Sequence, residues 1–239
     1  MQVNTKIKMP GKRDNMHKIV VAPDSFKGSL SSMEICNLTE EAAKKVFGTV
    51  EVVKIPIADG GEGTVDAVMT ATGGNICKVE VSDPLGRLIE AGYGITEKKV
   101  IIEMAQASGL PLVGKNKNPM LASTYGTGQL IMDAVQKGYE DIVVAIGGSA
   151  TNDGGIGMLQ ALGFEFLDSD GKQISTGAKG LEDLRVIKTE KSMKELLECR
   201  FSIACDVKNP LCGELGCSRV FAPQKGADAE MVNKLDIGM

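Results

Sequence analysis

The sequence predicts an α/β protein, and three features carry that prediction. Short apolar strand-like runs alternate with helix-length segments over residues 16–72. Three strand-like runs then follow with only short links, over 76–104. Finally, the apolar run Asp141-Ile142-Val143-Val144-Ala145 empties through I-G-G-S-A-T-N-D-G-G (146–155) into a helix-like segment, Ile156 to Leu162.

Lys18-Ile19-Val20-Val21-Ala22 reads as the first strand. Ser31 or Ser32 can cap a helix through about Phe47. Glu51 to Ile57 is rich in β-branched residues and reads as the next strand, and a glycine loop then opens a helix over roughly Glu62 to Thr72. This β-α-β-α order implies a parallel sheet with helices packed on it. After Gly73-Gly74 the period changes. Ile76 to Val81, Leu88 to Ile95 and Val100 to Met104 read as an antiparallel meander, the first two joined across Asp83-Pro84-Leu85-Gly86-Arg87. A second domain beginning near residue 80 fits that change. Further on come a helix over Gly128 to Lys137, a strand Phe164 to Leu167, a strand closing at Cys205, and a helix over Ala227 to Met239. Asp168-Ser169-Asp170-Gly171 is a turn, because the remaining ligands of a calcium loop are missing.

The 239 residues suffice for one large domain or two smaller ones with a full core. A net charge of −4 argues against a protein built to coat nucleic acid or an anionic membrane, so any anionic ligand must be held locally. No apolar run approaches the length of a membrane span. Residues 1–15 are polar without an apolar core, which predicts a disordered extension, no secretory signal and a cytoplasmic address. Four of the six cysteines (Cys199, Cys205, Cys212 and Cys217) lack C-x-x-C spacing and a nearby histidine, which favours free thiols over zinc. The single histidine, His17, leaves no partner for Ser-His-Asp chemistry or H-E-x-x-H metal binding.

Four polar loops could carry chemistry. Ala22-Pro23-Asp24-Ser25-Phe26-Lys27-Gly28-Ser29 follows the first strand, where ligands bind in open parallel sheets; solvated loop residues with a helix cap are the alternative. Ala58-Asp59-Gly60-Gly61-Glu62-Gly63-Thr64 offers two carboxylates beside backbone amides, suited to Mg²⁺, unless Glu62 only stabilises the helix start. Ser123-Thr124-Tyr125-Gly126-Thr127-Gly128-Gln129 is rich in hydroxyls but is also an acceptable N-cap cluster. The fourth loop, 146–155, can cradle an anion on unpaired N–H groups at a helix start. The same glycines could serve only for positive φ, but the density of Ser149, Thr151, Asn152 and Asp153 among them favours a ligand loop. Beyond these, Ala222-Pro223-Gln224-Lys225-Gly226-Ala227 presents one lysine. Walker A, H-R-D, D-F-G and G-x-G-x-x-G motifs are absent from the sequence.

Seven segments in order, A-P-D-S-F-K-G-S-L-S (22–31), P-I-A-D-G-G-E-G-T (56–64), D-P-L-G-R (83–87), E-M-A-Q-A-S-G-L (103–110), S-T-Y-G-T-G (123–128), I-G-G-S-A-T-N-D-G-G (146–155) and F-A-P-Q-K-G-A (221–227), resemble the bacterial glycerate kinase family. The resemblance covers the chain from Met16 to Met239. It implies ATP-dependent, Mg²⁺-requiring phosphorylation of a hydroxyl of D-glycerate. It also implies a flavodoxin-like α/β domain, begun by residues 16–80, that is split by an inserted α/β domain, residues 81–239. Family members continue past the position of Met239, through a glycine-alanine-rich segment and a T-G-E-G-R-x-D motif that complete the first domain. The expectation is therefore a fragment or a truncated relative, inactive by itself, with an exposed sheet edge that invites homo-oligomers.

The resemblance supports the four loops as a site. In that site Gly147, Gly148, Ser149, Thr151 and Asn152 would hold phosphate or the substrate carboxylate, with Ser25 and Thr127 nearby. Lys27 would neutralise transferring oxygens, Asp59 or Glu62 would hold Mg²⁺, and Asp24 or Asp153 would accept or orient the hydroxyl proton. Two other readings stand beside this one: a noncatalytic binding or assembly module derived from the kinase, and an unrelated enzyme of sugar or acyl phosphates.

Overall fold

The structure, a computed structural model, describes residues 18–26, 29–97 and 99–239. The expected N-terminal extension, His17 and Lys27 lie outside the described residues. The chain divides into two compact units, Met1–Ile57 and Ala58–Met239.

In the first unit, β1 (Lys18–Val21) and β2 (Glu51–Lys54) pair in parallel, with Lys18 opposite Glu51 and Val21 opposite Lys54. Parallel strands need a crossover, which α1 (Ser32–Phe47) supplies. Of the two candidate caps, Ser31 is the one used. Its Oγ accepts the Glu34 N–H, while the Glu34 carboxylate accepts the Ser31 N–H at 2.8 Å, a full capping box. Strand β2 is shorter than expected, although the Ile55 and Ile57 N–H groups continue its ladder to Val21 O (2.8 Å) and Pro23 O (3.0 Å). The intervening Pro56 has no N–H to offer.

The second unit opens with α2 (Thr64–Thr72), followed by β3 (Asn75–Ser82), β4 (Leu88–Ile95) and β5 (Val100–Glu103). After the short turns α3 (Ala105–Ser108) and α4 (Leu110–Val113) come α5 (Tyr125–Gln136), β6 (Asp141–Ala145), α6 (Ile156–Ala161) and β7 (Glu165–Leu167). The elements β8 (Val186–Lys188), β9 (Arg200–Ala204), α7 (Cys217–Phe221) and α8 (Ala229–Gly238) complete it. Five strands form one mixed sheet in the order β3-β4-β5-β6-β9. The expected meander is present, since β3 with β4 and β4 with β5 are antiparallel; β6 then joins β5, and β9 joins β6, in parallel.

Both faces of this sheet are covered at its centre, which explains why the central strand β5 is buried at every position. On one face Val100, Ile102, Ile142 and Val144 pack with Leu130, Ile131, Ala134 and Val135 of α5. On the other, Ile101 packs with Val65 and Met69 of α2. Neighbouring β5 residues thus point to opposite layers. Helices α5 and α6 meet closely at Gly128, where a Cβ would lie 2.3 Å from Met158 O and 2.7 Å from the Ala161 Cβ.

The D-P-L-G-R segment is a locked β3–β4 turn. Asp83, almost fully buried, accepts the N–H groups of Leu85 (2.8 Å) and Arg87 (2.9 Å) on Oδ1 and the Arg87 Nε–H (2.6 Å) on Oδ2. The Asp168 turn also forms as expected: its Oδ1 accepts the N–H groups of Asp170 and Lys172, each at 2.9 Å. All six cysteines are free thiols.

Candidate functional site

Strand β6 delivers the chain into the 146–155 loop at the edge of the sheet's last two parallel strands. The Ile146 N–H donates to Ala204 O, on the neighbouring β9, at 3.3 Å. The Gly147 N–H donates to Gly60 O at 2.9 Å, so two loops far apart in sequence meet backbone to backbone. A Cβ on Gly147 would stand 2.7 Å from the Gly61 Cα, so glycine is required there for close approach. At Gly148 the requirement is conformational, with φ of 74° and a Cβ position free of clashes. The loop is also stitched to the end of α3, through Ala150 N–H to Ser108 O (2.9 Å) and Leu110 N–H to Gly148 O (2.8 Å).

The expectation that a helix start would offer free amides to an anion is not met. Asp153 is 1% exposed and accepts the Gly155 N–H (3.2 Å) on Oδ1 and the Gly157 N–H (3.3 Å) on Oδ2. The Ile156 N–H goes to Asp153 O (3.0 Å), and the Met158 N–H goes to Thr124 Oγ1 (2.8 Å). The opening amides of α6 are therefore satisfied inside the protein.

The same solution appears at α2, where the carboxylate of Glu103, at the end of β5, accepts the N–H groups of Gly63 and Val65, each at 3.1 Å. Glu62 is exposed, so Glu103 rather than Glu62 supplies these bonds to the start of that helix. Burial pushes the carboxyl pKa of both Glu103 and Asp153 up, against the pull of the N–H groups they accept. Neither capping role was legible as such: Glu103 reads as a strand end and Asp153 as a loop acid.

A cavity of about 1010 Å³ opens beside the loop. Its polar wall contains Ser149, Thr151, Asn152, Asp153, Thr124 and Thr127. The apolar remainder includes Ile131, Val144, Met158, Leu162, Phe164, Met193, Phe201 and Ile203. Thr127 is fully buried, its hydroxyl 2.7 Å from that of Ser108. Asn152 donates from Nδ2 to Ser218 Oγ at 3.0 Å, tying the loop to α7. Lys225 was not among the expected site residues, yet it lines the same cavity. Its ammonium group donates to Ser149 Oγ (3.0 Å) and Thr151 O (2.5 Å). Burial pulls the Lys225 pKa down to about 8, with Cys217 and Asp153 acting the other way.

Asp59 and Glu62 are exposed on the loop that meets Gly147, and Asp59 Oδ1 accepts the Gly61 N–H at 2.9 Å. Two hard carboxylates fit Mg²⁺, which commonly takes one or two protein carboxylates and completes its shell with phosphate oxygens and water. Among the described residues no group of three or more Asp, Glu, His or Cys side chains could hold a metal by itself. Asp24 and Ser25 belong to the first unit, where Asp24 Oδ1 accepts the Ser25 N–H at 2.6 Å. The other described site residues, from Asp59 to Asp153, belong to the second unit.

Residues 19–239 match the family model for the glycerate kinase family. The chain belongs to that family. Among its relatives, the glycerate kinase of Haemophilus influenzae is 48% identical over 225 residues, covering 93% of this chain and 60% of that protein. The glycerate 2-kinase of Escherichia coli is 45% identical over 222 residues, covering 92% and 58%. The crystal structure of a protein assigned as glycerate kinase 2 from Salmonella typhimurium LT2 superposes with a TM-score of 0.79 at 47% identity, covering 94% of this chain and 61% of that one. The α/β fold is thus the fold of a glycerate kinase family member, and this chain spans about 60% of the length of the relatives it matches.

Proposed function

We propose that this glycerate kinase family chain takes part in ATP-dependent phosphorylation of a D-glycerate hydroxyl. The observation that carries the reading is the backbone contact between Gly147 and Gly60, which sets the carboxylate-bearing loop beside the hydroxyl-bearing loop that lines the cavity. Phosphoryl transfer asks mainly for charge neutralisation and in-line positioning, and these two loops supply the groups for both.

In this reading Asp59 and Glu62 hold Mg²⁺, which when bound neutralises oxygens of the nucleotide phosphates. Ser149, Thr151 and Asn152 bind the anionic ends of the reactants, with Gly148 providing the positive φ that the loop needs between them and Gly147. The Gly147 N–H is committed to Gly60, so Gly147 acts by permitting the loop contact. Thr127 acts through Ser108 to fix the cavity wall. With its carboxylate already accepting four hydrogen bonds, Asp153 is a positioning residue rather than the group that takes the hydroxyl proton. The apolar part of the cavity, with Phe164 and Phe201, suits the flat face of a purine. The domain plan that goes with this reading is a flavodoxin-like domain interrupted by an inserted α/β domain.

The test is conversion of D-glycerate with ATP, followed by phosphorus NMR of the phosphoglycerate. It is run on the 239-residue chain and on the same chain extended by the remaining segment of the Haemophilus influenzae relative. Product from either chain supports the reading. No product from either, with no binding of D-glycerate or of an ATP analogue by calorimetry, would sink it.

A further inference from the structure

The cavity beside the glycine loop contains a cation without an anionic partner. Lys225 sits at the end of the short 3-10 turn Pro223–Lys225, which follows the fully buried Ala222 and leads into Gly226. Close approach fixes that position: a Cβ on Gly226 would lie 2.6 Å from the Lys117 Cβ and 2.7 Å from Lys117 O. The bond from Asn152 to Ser218 fastens the preceding α7 to the loop. Lys225 Nζ is thereby aimed at Ser149 Oγ and Thr151 O, both neutral oxygens. Among the described residues Lys225 forms no ion pair with a carboxylate. An ammonium has three N–H donors, so one remains after these two bonds. Asp153, the carboxylate that most affects it, is already spoken for by Thr124, Gly155 and Gly157.

We propose that Lys225 is an anion-binding residue of this site, its third N–H meeting a carboxylate or phosphoryl oxygen of the reactants. The inference deepens the phosphotransfer reading and rests on it for the identity of the anion. Two structural facts support it. The helix-start amides that would otherwise attract an oxyanion at α6 are used internally, so the positive charge on this wall of the cavity comes from Lys225. A part-buried charge facing neutral oxygens is also costly until an anion arrives, whereas a charge-assisted bond to an oxyanion is among the strong ones. The lowered pKa of Lys225, about 8, agrees with a cation awaiting its counter-charge. The titratable groups facing it are Cys217 and Asp153.

The experiment uses the 239-residue chain with three probes: inorganic phosphate, D-glycerate and a non-hydrolysable ATP analogue. Binding is measured by calorimetry for the native chain, Lys225→Met and Lys225→Arg. Selective ¹³Cε labelling of lysine allows Lys225 to be titrated directly by NMR in the native chain, its resonance assigned by its loss in Lys225→Met, so a poorly binding variant does not decide the outcome. We expect at least one probe to raise the Lys225 titration midpoint. We also expect Lys225→Met to weaken that probe roughly tenfold or more, with partial recovery in Lys225→Arg. An effect confined to D-glycerate identifies the carboxylate as the source, and one confined to phosphate and the analogue identifies the phosphoryl group. A midpoint that none of the three moves, or binding of the midpoint-raising probe by Lys225→Met as tightly as by the native chain, overturns the proposal. Binding of phosphate through Lys225, where neither the 239-residue nor the extended chain converts D-glycerate or binds it or the analogue, would overturn the kinase reading and leave this one standing.

Discussion

Asp153 holds Thr124 twice, accepting its N–H at 2.8 Å and its hydroxyl at 2.9 Å, and that hydroxyl in turn accepts the Met158 N–H at 2.8 Å. One carboxylate and one hydroxyl thereby fix the starts of two helices, α5 and α6, against each other. The same pair shapes the wall of the cavity, which Thr124, Asp153 and Met158 all line.

Asp153→Asn should destabilise the protein by about 2–4 kcal/mol, because the amide turns an NH₂ towards N–H donors and leaves buried groups unpaired. Thr124→Val should cost less, about 1–2 kcal/mol, since the backbone bond to Asp153 survives. Urea denaturation of both single variants and the double variant measures the coupling. A loss below about 0.5 kcal/mol for Asp153→Asn would show that the network carries little of the stability.

Gly147 and Gly148 are adjacent but should respond differently. Alanine at 147 would push the loop off Gly60 and Gly61, so ligand binding should fall with a stability loss of about 2–4 kcal/mol. Alanine at 148 meets its nearest atom, the Ala105 Cβ, at 3.5 Å and suffers mainly from the positive φ, a loss of about 1 kcal/mol. Calorimetric binding together with thermal unfolding separates the two. Equal effects at both positions would contradict the assigned reasons.

The alternation of strands and helices could be read from the sequence because the apolar period changes where the elements change. The turn at 83–87 could be read because its residues suit nothing else. Strand β8 and helix α7 could not, since V-I-K and C-S-R-V-F are too short to show a period. The site was legible as loops and not as roles. Nothing local marks Glu103 as the cap of a helix that starts forty residues earlier, or Lys225 as the partner of Ser149. These roles come from long-range packing, which brings distant donors and acceptors into one low-dielectric place. The sequence presents Asp153 as a loop acid among glycines, and the N–H groups of Gly155 and Gly157 together with Thr124 occupy its carboxylate.

Asp59→Asn keeps the Oδ1 acceptor for the Gly61 N–H and removes the charge. If Asp59 holds the metal, affinity for Mn²⁺ (standing in for Mg²⁺) should fall roughly tenfold in the presence of ATP, with unfolding unchanged. Electron paramagnetic resonance of free Mn²⁺ measures this directly. Glu62→Gln provides the comparison, and unchanged affinity in both variants would remove this loop from metal binding.

Lys225 also predicts a pH dependence of stability. Its folded-state pKa, about 8, lies below the value of 10.5 for the ordinary side chain. Between those values the unfolded chain binds a proton that the folded one has released, so this group makes stability rise with pH. Below about pH 8 the charge is present in both states and the full cost of burying it is felt; above about 10.5 the cost is gone. Relative to Lys225→Met, the native chain should therefore gain about 2–3 kcal/mol between pH 7.5 and 10.5, a range discounted for the partial exposure of the group. Denaturant titrations of both proteins across that window isolate the effect, because the other lysines and tyrosines titrate alike in both. A saturating anion that pairs with Lys225 should flatten the slope by raising the folded-state pKa towards its unfolded value. A stability difference that stays constant across the window would mean that the ammonium is solvated, and that the cavity wall carries no buried charge.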